Sequence, residues 1–130
     1  MRSVAELDYA YLAEFAQVID GKLTAVNASF IAVTTPVPAV FQFAVAGRVR
    51  APVEAGIVDL AIQIVAPDDS TKITWQSELR TDGHQVYDGK VGILFALRTG
   101  VPLSTHGLFR IEISIDGEHA RTLAFEAVSP

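Results

Sequence analysis

The sequence predicts an all-β protein, an antiparallel eight-stranded β-sandwich with a Greek-key or jelly-roll strand order. Apolar and polar residues alternate with a period of two over most of the chain, as in strands that bury one face. Asp-Gly and proline turn signals separate these runs at intervals of about 8–12 residues. The chain of 130 residues is 50% apolar, which suits one domain, 1–130, with a sizeable core.

The alternation and the turns together place eight strands. The clearest is the run from Phe109 to Ile115, in which Ile111 and Ile113 share a face opposite Arg110. Asp-Gly pairs favour the positive φ angles of tight turns, and they occur at 20–21, 82–83, 88–89 and 116–117. The predicted strands are 7–19, 22–33, 40–50, 57–66, 72–80, 90–98, 108–116 and 119–128.

Residues 4–18 fit two patterns. Ser3 and Glu6 have the spacing of a helix capping box. Apolar residues then recur at helical intervals, at Leu7, Tyr11, Phe15 and Val18. The Asp20-Gly21 turn that follows instead favours a β-hairpin with the next run. The residues alone leave strand and helix open for this segment.

Composition excludes several classes of protein. With 10 basic and 15 acidic residues, the chain repels phosphate, so we expect no nucleic-acid partner. The absence of cysteine excludes disulfides and thiolate metal sites. Charged residues, Pro and Gly interrupt every apolar run before the roughly 20 residues that a membrane helix needs. The N-terminus, which begins Met1-Arg2, lacks the apolar stretch of a secretory signal. We therefore expect a cytoplasmic protein without a membrane partner.

Catalytic motifs are absent from the sequence, which has no G-x-S-x-G, H-E-x-x-H or phosphate-binding loop. We therefore predict no enzyme, no catalytic residue and no cofactor. In an antiparallel sandwich, alternate loops meet at one end, and this places Asp82, Asp88 and Asp116 together as weak candidates for a metal site. The simpler interpretation is turn chemistry, since Asp before Gly suits tight turns.

Small apolar residues occupy positions that should face solvent. The predicted interface residues are Ala28, Ala44, Ala46 and Leu94. Apolar surface that stays exposed usually marks association, so these residues predict contact with a second copy or with another protein. The same pattern would arise if the inward and outward positions were assigned the wrong way round, if a bulge shifted the alternation, or if loops folded over the sheet. Among the aromatic residues, Trp75 is expected in the core and Tyr87 on the surface.

Two stretches near the N-terminus, Leu12-Ala13-Glu14-Phe15-Ala16 and Gly21-Lys22-Leu23-Thr24-Ala25-Val26, carry a family resemblance. They resemble the opening of a family of small bacterial all-β proteins catalogued as a domain of unknown function. The sequence departs from that pattern at Glu14-Phe15, where Asp-Tyr is usual, and at 27–29, where glycines are usual. The resemblance implies a strand over 7–19, and it supplies no catalytic residue.

The sequence thus predicts a non-catalytic, structural β-sandwich that acts through self-assembly or through docking on a protein partner. The alternative is a small ligand-binding module whose acidic end loops hold Ca²⁺ or a carbohydrate.

Overall fold

The computed structural model describes residues 4–130. Ser3, which begins the capping-box spacing, and Met1-Arg2, which bear on the signal-sequence prediction, lie outside the described residues. The described chain forms ten strands and one 3₁₀ turn: β1 Glu6–Ile19, β2 Lys22–Ala28, β3 Ala32–Thr34, β4 Ala39–Ala51, the turn Val53–Ala55, β5 Ile57–Val65, β6 Lys72–Arg80, β7 Val86–Tyr87, β8 Lys90–Leu103, β9 Gly107–Ile115 and β10 Glu118–Val128. Among these residues no helix is long and apolar enough to cross a membrane.

The strands form two five-stranded sheets that enclose one core. The first sheet has the order β2-β1-β4-β8-β7, and the second has the order β3-β10-β9-β5-β6. All pairs are antiparallel except β3 with β10, which is parallel. The all-β, two-sheet prediction is confirmed, whereas the predicted number of eight strands is wrong.

The predicted strand 22–33 divides because its backbone turns. Asn27 and Ser29 have φ angles of 50° and 65°, which an extended strand does not allow. The N–H of Ser29 donates to the C=O of Leu12 at 2.6 Å, and the chain then crosses to the second sheet. There Ala32–Thr34 pairs with the end of β10, so one predicted strand becomes β2 and β3.

The predicted strand 90–98 is too short, and the predicted loop at 99–107 is partly wrong. The strand continues to Leu103, and Pro102 lies opposite Val40 in β4. Proline is tolerated on an edge strand because its missing N–H can point away from the paired strand. β7 is an additional strand that was not predicted. It is only two residues long, and the Asp88-Gly89 turn connects it to the start of β8, with which it pairs.

The strand interpretation of the N-terminal segment is confirmed for β1. Its first half, Glu6–Ala13, pairs with β4, and its second half pairs only with β2. Tyr9 and Tyr11 stack with 6.3 Å between ring centroids, as two residues on one face of a strand can do. Pairing with two neighbours satisfies the backbone that a helix would otherwise satisfy internally.

The core consists of the inward-facing apolar residues of both sheets. The predicted alternation holds in β9, where Phe109, Ile111 and Ile113 have no exposed surface. Aromatic rings fill one end of the core, with centroids 5.2–6.3 Å apart: Phe30, Phe41, Phe43, Phe109 and Phe125. Trp75 is partly buried against the same core. These contacts hold the two sheets face to face.

The β1–β2 hairpin turns away from β4 and lies across the outer face of the first sheet. Ala16 is fully buried in a small-residue cluster with Ala13, Ala44 and Ala46, against which Ala96 and Leu23 pack. Phe15 lies beside Arg98 of β8, with 5.1 Å from the guanidinium carbon to the ring centroid. The side chains are small because the hairpin backbone must approach the sheet closely.

Candidate functional site

The four predicted interface residues lie in different environments. Ala44 and Ala46 have no exposed surface, because the β1–β2 hairpin covers them. Leu94 is half-buried, and Ala28 of β2 is exposed opposite Ala13. In this conformation only Ala28 and Leu94 have surface to offer a partner. Small apolar residues occur on both faces of these strands because the β1–β2 hairpin of the same chain covers the outer face.

The three candidate metal ligands do not come together. Asp82 pairs with Arg80 at 3.1 Å, and Asp88 occupies a turn position with a φ of 50°. A carboxylate oxygen of Asp116 accepts the N–H of Asp59 at 2.8 Å. Among residues 4–130 no group of three His, Asp or Glu side chains could hold a metal ion. The geometry of these three acids is that of turn residues.

A second acidic loop, at Asp68-Asp69, is also occupied by local contacts. The Asp68 carboxylate accepts the hydroxyl and the N–H of Ser70, at 2.6 and 3.1 Å. These bonds favour the charged form and lower the pKa of Asp68 below its ordinary value. Asp69 contacts Arg110 of β9 at 3.4 Å.

An open cleft of about 610 Å³ lies between the tip of the β1–β2 hairpin and the loop before β7. Asp20 lines one side, His84 and Tyr87 line the other, and Gly92 and Arg48 form part of the lining. Its polar groups and an exposed aromatic ring could contact a sugar-sized ligand. The exposed position of Tyr87, of which 45% is accessible, agrees with the sequence prediction.

Arg48 is held by partners at the edge of this cleft. Its Nε donates to the Asp8 carboxylate at 2.8 Å, and its guanidinium lies 5.1 Å from the centroid of the Tyr9 ring. The hydrogen bond with Asp8 is the main cause that raises the pKa of Arg48. Arg50, 8% exposed, lies under the Tyr87 ring at 3.7 Å, and its Nη1 has no hydrogen-bond partner within residues 4–130. The Arg48 guanidinium carbon lies 6.0 Å from the centroid of the same ring, so Tyr87 lies against both guanidinium groups.

One free strand edge of the described chain lies on β6, the last strand of the second sheet. Two bonds fix its orientation: the N–H of Thr81 donates to the C=O of Gly56, and the N–H of Ala66 donates to the C=O of Thr71, both at 3.0 Å. Backbone groups alternate in direction along an antiparallel strand. The backbone N–H and C=O groups of the odd-numbered residues in β6 therefore point towards β5. The backbone groups that point outward belong to Lys72, Thr74, Gln76, Glu78 and Arg80.

The free edge of β6 has no proline, bulge or inward charge to prevent edge pairing, and its charged residues lie on the outer face of the sheet. It runs for nine residues without proline and pairs with β5 without a register shift. Its inward-phase residues Ile73, Trp75 and Leu79 are uncharged, whereas edge strands that avoid pairing carry prolines, bulges or inward charges. We call this strand edge, residues 72–80, the β6 edge.

A second free edge lies close to the β6 edge. β7 covers β8 only at Lys90 and Val91, so on the side of β8 that faces away from β4 the described chain provides no strand from Gly92 onward. An apolar cleft of about 140 Å³ separates the two edges, lined on the β6 side by Trp75 and Leu79 and on the β8 side by Phe95 and Leu97. One flank of the molecule is thus open between its two sheets.

The alternation of apolar and polar residues does not predict this flank. Alternation reveals the faces of a strand, but it does not reveal which strands end up at an edge, because lateral order depends on long-range pairing. The only available signal was the regular, proline-free β6 run itself.

Residues 8–128 match the model of a family of unknown function, DUF6941. No curated protein is similar to the chain.

Proposed function

The chain belongs to DUF6941, a family of unknown function, and we propose that it is a non-catalytic β-sandwich that acts by associating with protein chains. The form of association that we propose is self-assembly. Docking on another protein is the alternative form. We propose that it acts in the cytoplasm, as the sequence predicts, of a bacterial cell, as the family resemblance implies. The contacts that hold Asp82, Asp116 and Asp68 in turns favour this proposal over a catalytic role.

The observation that carries the proposal is the open flank. The β6 edge offers outward N–H and C=O groups over a straight strand, and such an edge can pair with an added strand. The apolar cleft beside it would be closed by the same partner. Backbone pairing supplies affinity, and the neighbouring side chains supply specificity.

The first test is the absolute mass in solution, measured by light scattering on a sizing column over a dilution series. We expect a mass above the 14.0 kDa of one chain that falls towards it on dilution. Gln76→Pro removes one outward N–H without touching the bonds to β5, so it should reduce the mass to that of one chain. Gln76→Ala, which keeps the N–H, is the matched control. A mass of 14.0 kDa at every concentration would exclude self-assembly.

A second candidate function is ligand binding in the cleft between the β1–β2 hairpin and Tyr87. The observation that favours it is the aromatic ring held over Arg50 at 3.7 Å beside Asp20 and His84. A ligand that binds only the folded state raises the melting temperature. We expect a carbohydrate ligand to do so in the wild type and not in Tyr87→Ala. Excess Ca²⁺ tests the metal version of this proposal in the same melt.

A further inference from the structure

We propose that the β6 edge pairs with the β6 edge of a second copy, antiparallel, around a two-fold axis at Trp75. This rests on the proposed function and specifies its partner, its surface and its register. In this arrangement Trp75 faces the partner's Trp75, Thr74 faces the partner's Gln76, and Lys72 faces the partner's Glu78. The two second sheets become one continuous sheet of ten strands.

The backbone permits this register. The outward N–H and C=O groups belong to even-numbered residues, so hydrogen-bonded pairs across the axis must join even residues to even residues. A two-fold axis at Trp75 joins Thr74 to Gln76 and Lys72 to Glu78, and it leaves the two Trp75 residues as a non-hydrogen-bonded pair. Such pairs bring opposed Cα atoms to about 4.5 Å, close enough for their side chains to touch.

Charge favours this register over registers whose axis is shifted towards Arg80. An axis at Gln76 would place Lys72 against the partner's Arg80, a like-charge pair that occurs twice and destabilises the interface. An axis at Ser77 would place Lys72 against the partner's Asp82, which already pairs with its own Arg80 at 3.1 Å. The axis at Trp75 gives two Lys72–Glu78 pairs within the strands.

The outer face of the second sheet contains an unfavourable pair that this partner would relieve. Asp59 of β5 and Glu78 of β6 lie directly opposite each other, both exposed, and like charges in that position destabilise a sheet. At the other end of β6, Lys72 and Arg110 both flank Val65, and Arg110 already contacts Asp69 at 3.4 Å. An antiparallel copy brings its Lys72 to the end that carries Asp59 and Glu78.

The inner face gives an apolar complement. Trp75 is half-buried and lines the cleft of about 140 Å³ between the β6 edge and Phe95 of β8. Two Trp75 side chains that meet on the axis would extend across the mouths of both clefts. In protein interfaces, aromatic residues buried at the centre usually contribute most of the binding energy, and charged pairs at the rim contribute less.

The charge pairs are tested by exchange. Lys72→Glu and Glu78→Lys each convert two attractive pairs into repulsive ones, so each should raise the dimer dissociation constant roughly tenfold. The double variant restores opposite charges and should return to within about threefold of the wild type. Glu78→Lys also removes the repulsion from Asp59. The melting temperature of this variant, measured at a concentration at which the protein is monomeric, should therefore not fall below that of the wild type. A double variant that is as weak as its parents would overturn the register.

The axis itself is tested by single-cysteine variants, because the chain contains no cysteine. Three variants are oxidised separately: Trp75→Cys, Gln76→Cys and Ser77→Cys. The rate at which each forms a disulfide-linked dimer is measured on a non-reducing gel. Only the residue on the axis meets its own copy, so Trp75→Cys should cross-link much faster than the other two. Faster cross-linking by Gln76→Cys or Ser77→Cys overturns the register.

The outcomes separate this inference from the proposed function. If the wild type is a dimer by light scattering but none of the three variants cross-links, and charge exchange has no effect, the β6 pairing is wrong and association occurs elsewhere. If the wild type is a monomer throughout, both the pairing and self-assembly fail.

Discussion

At the scale of single residues, Gly47 sets how closely β1 approaches β4. A Cβ atom at this position would lie 2.3 Å from the Tyr9 carbonyl oxygen and 2.8 Å from the ring of Phe95. The backbone oxygen cannot move without displacing β1, where the register already shifts between Leu7 and Tyr9. Gly47→Ala should therefore lower the free energy of unfolding by about 2–3 kcal/mol, measured by urea denaturation.

Gly100 is the matched control for that substitution. It is also a strand glycine, but a Cβ there meets the end of the flexible Gln42 side chain, at 2.9 Å from Nε2. Gly100→Ala should cost less than about 1 kcal/mol, since Gln42 can rotate away. Equal losses in the two variants would contradict the steric explanation.

Asp68 and Ser70 give a prediction about pH. Because the Ser70 hydroxyl and N–H lower the pKa of Asp68, Ser70→Ala should raise that pKa towards the ordinary value of 3.8. The two bonds stabilise the loop at pH values above the ordinary pKa, and this contribution is lost as the pH falls through the lowered one. The measurement is an NMR titration of the Asp68 carboxyl carbon. An unchanged midpoint would show that the hydroxyl has no part in the shift.

At the scale of elements, the β1–β2 hairpin is a cover whose fit depends on small side chains. Ala46 has no exposed surface beneath it, so Ala46→Arg should lift the hairpin rather than bury a charge. Backbone amides of 15–25 should then exchange with deuterium at least tenfold faster, by mass spectrometry. Ala28→Arg, at an exposed position, is the control. If both variants exchange alike, the hairpin does not depend on the alanine cluster.

The elements also show how far the sequence could predict this molecule. The β9 strand was predicted to within a residue, because its alternation reflects one buried and one exposed face. The break at Ser29 was missed because a positive φ at a non-glycine residue leaves little trace in composition. The extension of β8 through Pro102 was missed because proline is a turn signal except on an edge. For the interface, the alternation identified an unusual apolar face at Ala44 and Ala46, but not the hairpin that covers it.

At the scale of the whole molecule, the β6 and β8 edges of the open flank differ in their capacity to pair with an added strand. β8 is partly shielded by β7 at its start and carries Pro102 near its end, whereas the β6 edge is uninterrupted. The flank is therefore asymmetric, with the second sheet better able to accept a strand than the first. This difference determines which assemblies the fold allows.

Pairing of the β6 edge with its own copy closes the assembly at two chains. An isologous contact uses the same surface on both partners, so no free β6 edge remains to add a third chain. A contact between the β6 edge of one copy and β8 of the next would leave one edge of each kind free and would grow into a filament. We therefore expect the light-scattering mass to level off at twice 14.0 kDa as concentration rises.

Salt should distinguish the closed dimer from nonspecific aggregation in the same experiment. The two Lys72–Glu78 pairs are exposed and are screened as ionic strength rises, so 0.5 M NaCl should weaken the dimer a few-fold. Association driven by apolar surface alone would strengthen or stay constant. A mass that continues to rise with concentration would instead show that head-to-tail contacts prevail, and that the β6 edge does not meet its own copy.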